Sequence, residues 1–178
     1  MKILSLFLFV FFSFSLFAET IPGGWLTDVA RAKRRSAEEK KPILLIISGP
    51  SSDEESKNLK KDVIDNDDFD KAVKKNAVCL IAYTQPNKKQ NKKDLALRKT
   101  FAGIYKGKVP CYAVLDSKLK VLAIPAGKTA YDFVKAISDV LVKNGGKPIK
   151  ELKDLEKDYN KELNKKEKKS KKSSRKNK

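Results

Sequence analysis

The sequence predicts an α/β fold, a four-stranded mixed central sheet flanked by helices on both faces. Three observations carry this. Ile43 to Ile47 and Ala77 to Tyr83 are unbroken apolar runs of strand length, the pattern of strands covered on both faces. Stretches with helical apolar period precede, separate and follow them. Two further apolar runs, Cys111 to Asp116 and Val121 to Ile124, are joined by the tight turn Ser117-Lys118 and read as a hairpin. A parallel βαβ crossover followed by a ββ hairpin and a final helix gives the order α-β-α-β-α-β-β-α.

Each element has a local reason. Trp25 to about Lys40 reads as an extra N-terminal helix, with Trp25, Val29, Ala32 and Ala37 on an apolar side and Arg31, Lys33, Arg34 and Arg35 facing water. Trp25 is expected to be a core residue. Pro42 stops the helix, and the first strand follows. Gly49-Pro50 ends that strand. Ser51 and Ser52 each have an acid three residues on, Glu54 and Glu55, which is capping-box spacing for a helix from about Ser52 to Val63. Asp67 or Asp68 is the expected N-cap of a short helix through Lys75. Gln85 to Lys93 is a polar loop, and Leu95 to Tyr105 a helix that Gly107 ends. Tyr131 to Lys143 is amphipathic through Phe133, Val134, Ile137, Val140 and Leu141, and Gly145-Gly146 close it. Pro148 to about Lys166 reads as a solvated helix with Leu152, Leu155 and Leu163 as sparse contacts.

The two ends differ from the middle. Met1-Lys2 precede an apolar run, Ile3 to Phe17, and Ala18 precedes Glu19-Thr20. A positive start, an apolar stretch and a small residue before polar ones describe a signal peptide over residues 1–18, cleaved near Ala18. The run is short for a membrane span, which needs ~20 residues. The expected location is therefore periplasmic or secreted. Residues 19–146 form the expected domain, and 147–178 a Lys-rich, partly helical to disordered tail. From Lys165 onward nearly every residue is Lys, Arg, Ser or Asn, and this is the part expected to be disordered. The tail supplies much of the net charge of +18.

The chain has no histidine, which removes Ser-His-Asp triads, Cys-His dyads and His-containing zinc sites together. No metal-ligand spacing occurs, and neither a metal nor a cofactor is expected. Gly103 to Lys108 is one residue short of a phosphate-binding loop, with Val109 where Ser or Thr is required.

Three pieces resemble the thioredoxin fold, in particular secreted bacterial thioredoxin-like proteins. Trp25, Ala30, Ala32 and Ala37 with Lys41-Pro42-Ile43-Leu44-Leu45 are similar to that family's leading helix and strand. Gly49 through Leu59 is similar to its active-site turn and helix. Val109-Pro110 with Leu115-Asp116 and Gly127 is similar to its cis-proline loop and hairpin. The likeness spans about Trp25 to Gly145. It breaks where the family carries Trp-Cys-x-x-Cys, because this chain reads Ser52-Asp53-Glu54-Glu55-Ser56. Asp53 and Ser56 stand in the two cysteine places, so no dithiol couple can form there. Carboxylates at a helix start are favourable by ~0.3–1 kcal/mol each, which accounts for the acids without catalysis.

The resemblance implies a cis Pro110 that exposes backbone groups to an extended peptide. It also implies that Cys111, the next residue, lies near Asp53 and Ser56, whose acidic surroundings would raise its thiol pKa. In the family's strand order Cys79 and Cys111 are two strands apart, ~9–10 Å, too far for a disulfide. The expected candidate site is therefore Ser52, Asp53, Ser56, Pro110 and Cys111, used for binding. The expected function is a redox-inactive, peptide- or protein-binding or accessory folding module of the cell envelope. The alternative is a single-thiol disulfide-exchange oxidoreductase using Cys111. The basic tail suits anionic envelope surfaces. Nucleic acid is not an expected partner, because a signal peptide directs the chain away from it.

Overall fold

The structure is a computed structural model and describes residues 22–50, 52–85 and 92–176. The expected signal peptide, Ser51 and most of the Gln85 to Lys93 loop lie outside the described residues. The elements are α1 (Val29–Glu39), β1 (Ile43–Ser48), α2 (Glu54–Leu59), α3 (Asp67–Asn76), β2 (Val78–Tyr83), α4 (Lys92–Thr100), β3 (Cys111–Leu115), β4 (Val121–Ala123), α5 (Ala130–Lys143) and α6 (Leu152–Lys176). The sheet order is β2-β1-β3-β4. β1 pairs parallel with β2, Ile43 opposite Val78, and antiparallel with β3, Ile43 opposite Leu115.

Alternation along the strands sorts two cores. Leu44, Ile46, Cys79, Ile81 and Val114 face a layer holding Leu59, Phe69, Val73, Phe133 and Ile137, from α2, α3 and α5. Ile43, Leu45, Ile47, Val78, Leu80 and Leu115 face Ala32 of α1 and Leu97, Phe101 and Tyr105 in and after α4. All six residues of β1 are buried, as an apolar run between two layers requires. Removing one such side chain leaves a cavity and costs ~2–5 kcal/mol.

The N-terminal helix starts later than its apolar pattern suggested. Leu26 makes an isolated parallel bridge to Leu80, donating to Cys79 O and accepting from Ile81 N, both at 2.8 Å. This extended pair sends Trp25 to one face and Leu26 to the other. Trp25 is in the core, 6.5 Å from the Phe69 ring, so it is not part of an α1 apolar side. Asp28 caps α1 by accepting from Arg31 N. Ala37 is exposed, and Ser36 is buried in its stead, its hydroxyl donating to Lys41 O at 2.6 Å.

Other boundaries move for equally local reasons. Asn66, rather than either following aspartate, caps α3 by accepting from Phe69 N at 2.9 Å. α2 continues as a π-helical turn, Lys60–Ile64. Thr129 and Asp132 form a capping box at the start of α5. Behind α5, Gly145 takes a positive φ of 79° and Gly146 N returns to Leu141 O at 2.8 Å. The stretch from Lys165, expected to be disordered, is helical through Lys176. Lys, Arg and Glu are strong helix formers, and no Gly or Pro interrupts the segment.

Candidate functional site

β1 delivers the chain to a turn at its C-terminal end, and α2 begins there. Asp53 is the N-cap of α2, its carboxylate accepting from Ser56 N at 2.8 Å. This replaces the expected Ser-Glu capping box, since Ser52 is exposed and Asp53 sits one residue nearer the helix. Ser56 is buried, and its hydroxyl accepts the Gly49 N–H at 2.8 Å. Asp53 and Ser56 therefore tie the helix start to itself and to the strand end. Glu55 reaches outward to Lys128 at 2.6 Å, an exposed pair of the kind worth ~0–1 kcal/mol.

The Val109–Pro110 peptide bond is cis. Its loop packs on the same turn. A methyl group on Gly49 would come within 2.8 Å of Val109 Cγ2, 3.0 Å of Ser56 Oγ and 3.2 Å of Asp53 Cβ. Gly49, Asp53, Ser56 and Val109 thus converge, and Pro110 follows half-buried beside them. Cys111 lies opposite Ile47 on β1. Its side chain packs with the apolar layer of α1 and α4, whereas α2 belongs to the other layer. The side chain that meets the turn is Val109's.

Burial pushes the Cys111 thiol up to about 12. The direction is the expected one, but the cause is desolvation rather than the acids Asp53 to Glu55. Cys79 is also pushed up to about 12, by burial and then by the negative charge of Asp70. Both cysteines are free. They flank β1 on opposite sides, Cys79 opposite Leu44 and Cys111 opposite Ile47, and they face opposite layers.

A polar cluster near the same end of the sheet has no counterpart in the sequence reading. Thr84, just past β2, donates its N–H to Ser48 O at 3.0 Å and its hydroxyl to buried Asp94 at 3.2 Å. The Tyr105 hydroxyl also donates to Asp94, and Arg98 Nε donates at 2.8 Å. The Arg98 guanidinium lies 5.7 Å from the Tyr105 ring centre. Burial opposes ionisation of Asp94, but the hydrogen bonds from Tyr105 and Arg98 outweigh it and hold the carboxyl below its ordinary value. Burial and the Asp94 hydrogen bond push Tyr105 up to about 12. Gly107, at φ 84°, leaves room for the Arg98 guanidinium that any side chain would displace. The signal was the i, i+4 pair Asp94–Arg98 on a helix, which reads as an ordinary solvent-facing ion pair.

An open cleft of about 400 Å³, lined in part by Lys40, Lys41, Asp116 and Leu141, lies at the opposite end of the sheet from this turn. Among the described residues no group of three or more His, Cys, Asp or Glu could hold a metal ion, and no helix is long and apolar enough to cross a membrane.

The fold and the turn define a thioredoxin-like protein, with Asp53 and Ser56 at the start of the helix that follows β1. The family described as thioredoxin-like matches residues 24–117, more than half of the chain, and the chain belongs to that family. No curated protein and no solved structure matches.

Proposed function

We propose that this protein is a redox-inactive thioredoxin-like module of the cell envelope, which binds an extended peptide segment beside Pro110 and serves as a binding or accessory folding factor. The observation that carries the reading is that Asp53 and Ser56 both close the turn through hydrogen bonds of 2.8 Å, so the site keeps its shape without sulfur. A cis-proline loop set against that turn leaves backbone groups for a β-type pairing with an extended chain, which needs no thiol. The remaining nearby thiol, Cys111, is held protonated by burial at neutral pH. A protonated thiol is a poor nucleophile, which disfavours the single-thiol oxidoreductase.

Two assays test this. In dithiothreitol-driven insulin reduction, the protein is expected to give no rate above background. A rate lost in Cys111→Ser and kept in Cys79→Ser would establish the oxidoreductase instead. Binding is read by fluorescence anisotropy with S-carboxymethylated insulin B chain as the extended probe. Val109→Glu, which places a charge between the turn and the proline loop, is expected to weaken binding at least ~10-fold. Leu122→Ser, on β4, is expected to leave it unchanged. Equal binding by Val109→Glu and the parent would remove the groove.

A further inference from the structure

We propose that the distal part of α6, from Asn160 onward, is a cationic arm that adsorbs to an anionic phospholipid surface. This does not depend on what the Pro110 groove binds. The first two turns of α6 are docked. Leu155 is buried, Tyr159 stacks on Tyr131 at 5.0 Å and 19°, and Glu151 pairs with Lys75 at 3.1 Å. Past Tyr159 the docking stops. Residues 160–165 are all exposed, Leu163 among them at 41%. The helix nevertheless continues to Lys176, about 25 Å at ~1.5 Å per residue.

The charge of that stretch is one-sided. Residues 161–178 carry ten Lys and Arg against two acids, Glu162 and Glu167, and no apolar residue follows Leu163. Without an apolar stripe the arm cannot insert into a bilayer as an amphipathic helix. Attraction to a surface of anionic headgroups is what it can supply, at roughly 1 kcal/mol per basic residue, or about fivefold in partition. Lys161, Lys165, Lys168, Lys172 and Lys176 recur at intervals of three and four, a spacing at which like charges disfavour a helix in free solution. Headgroup phosphates would relieve that repulsion, so adsorption and helix formation reinforce each other. A membrane is favoured over nucleic acid by the chain itself. Its apolar run at residues 3–17, read as a signal peptide, would bring it to a bilayer whether that run is removed or kept.

The test is co-sedimentation of the full chain with vesicles of phosphatidylcholine alone, or of phosphatidylcholine mixed with phosphatidylglycerol. The comparison variant carries Lys165→Glu, Lys168→Glu, Lys172→Glu and Lys176→Glu. Both proteins retain residues 3–17, so their difference reads the arm alone. The parent is expected to prefer the anionic vesicles, with the preference lost at ~1 M salt, where the Debye length is about 3 Å. The variant's partition onto anionic vesicles is expected to be lower by at least ~100-fold. Equal partition of parent and variant, or no preference of the parent for anionic over neutral vesicles, would overturn the proposal. So would release of the parent from anionic vesicles by a DNA duplex at equal phosphate concentration, which would reassign the arm to nucleic acid.

Discussion

At Ser56 a single hydroxyl holds the strand end to the helix. Ser56→Ala leaves the Gly49 N–H buried without its acceptor, which costs ~1–3 kcal/mol. Asp53→Ala removes a cap worth ~1 kcal/mol, while Asp53→Asn keeps an acceptor and is expected to be nearly neutral. Urea unfolding midpoints check all three, and a Ser56→Ala midpoint equal to the parent's would mean that water replaces the hydroxyl. Gly49→Ala forces its methyl against Val109 and is expected to destabilise by ~1–3 kcal/mol. The converse change is also informative. Asp53→Cys with Ser56→Cys restores two thiols at a helix N-terminus, where thiolates are favoured, and is expected to give insulin reduction that the parent lacks. At this scale the sequence showed which residues stood at the turn, but their bonding depended on the cap being Asp53 rather than Ser51 or Ser52.

At the scale of elements, α4 is fastened by a polar cluster as well as by apolar contact. Thr84, Asp94, Arg98 and Tyr105 join the end of β2 to α4 and to the segment after it. The Asp94 carboxyl lies lower in the folded protein than in the unfolded chain, so its contribution is present above pH ~4 and is lost as pH falls further. Tyr105 is raised to about 12, so its contribution is present below pH ~10 and is lost as pH rises towards that value. Urea midpoints followed from neutral pH to pH ~2 should fall more steeply for the parent than for Asp94→Asn, whose acid limb loses this component. Parallel acid limbs would mean that the unfolded and folded carboxyls titrate alike. The strands were legible because apolar runs and a hairpin turn are local patterns, whereas the place of β1 between β2 and β3 was implied by the resemblance alone. The cluster was not, because Thr84 and Tyr105 reach Asp94 only once the sheet and α4 have come together. The start of the N-terminal helix at Trp25 fails for a similar reason, since the one residue of parallel pairing, Leu26 with Leu80, carries no periodicity to detect.

The molecule as a whole is one sheet with two separate cores, and its thiols are divided between them. Cys79 lies with α2, α3 and α5, and Cys111 with α1 and α4. Under oxidising conditions the parent is expected to run as a monomer with two titratable thiols after denaturation. A single species lacking both thiols would require a different strand order. The division also matters to spectroscopy. Trp25 is the sole tryptophan in the chain, and its indole lies against Phe69 in only one of the two cores. Its emission is therefore a built-in optical reporter for the α3 side and is blind to the α4 side. If protonation of Asp94 loosens α4 alone, the parent's far-ultraviolet ellipticity will fall with acid while its emission maximum stays blue. Coincident curves would instead show the two cores melting as a single cooperative unit.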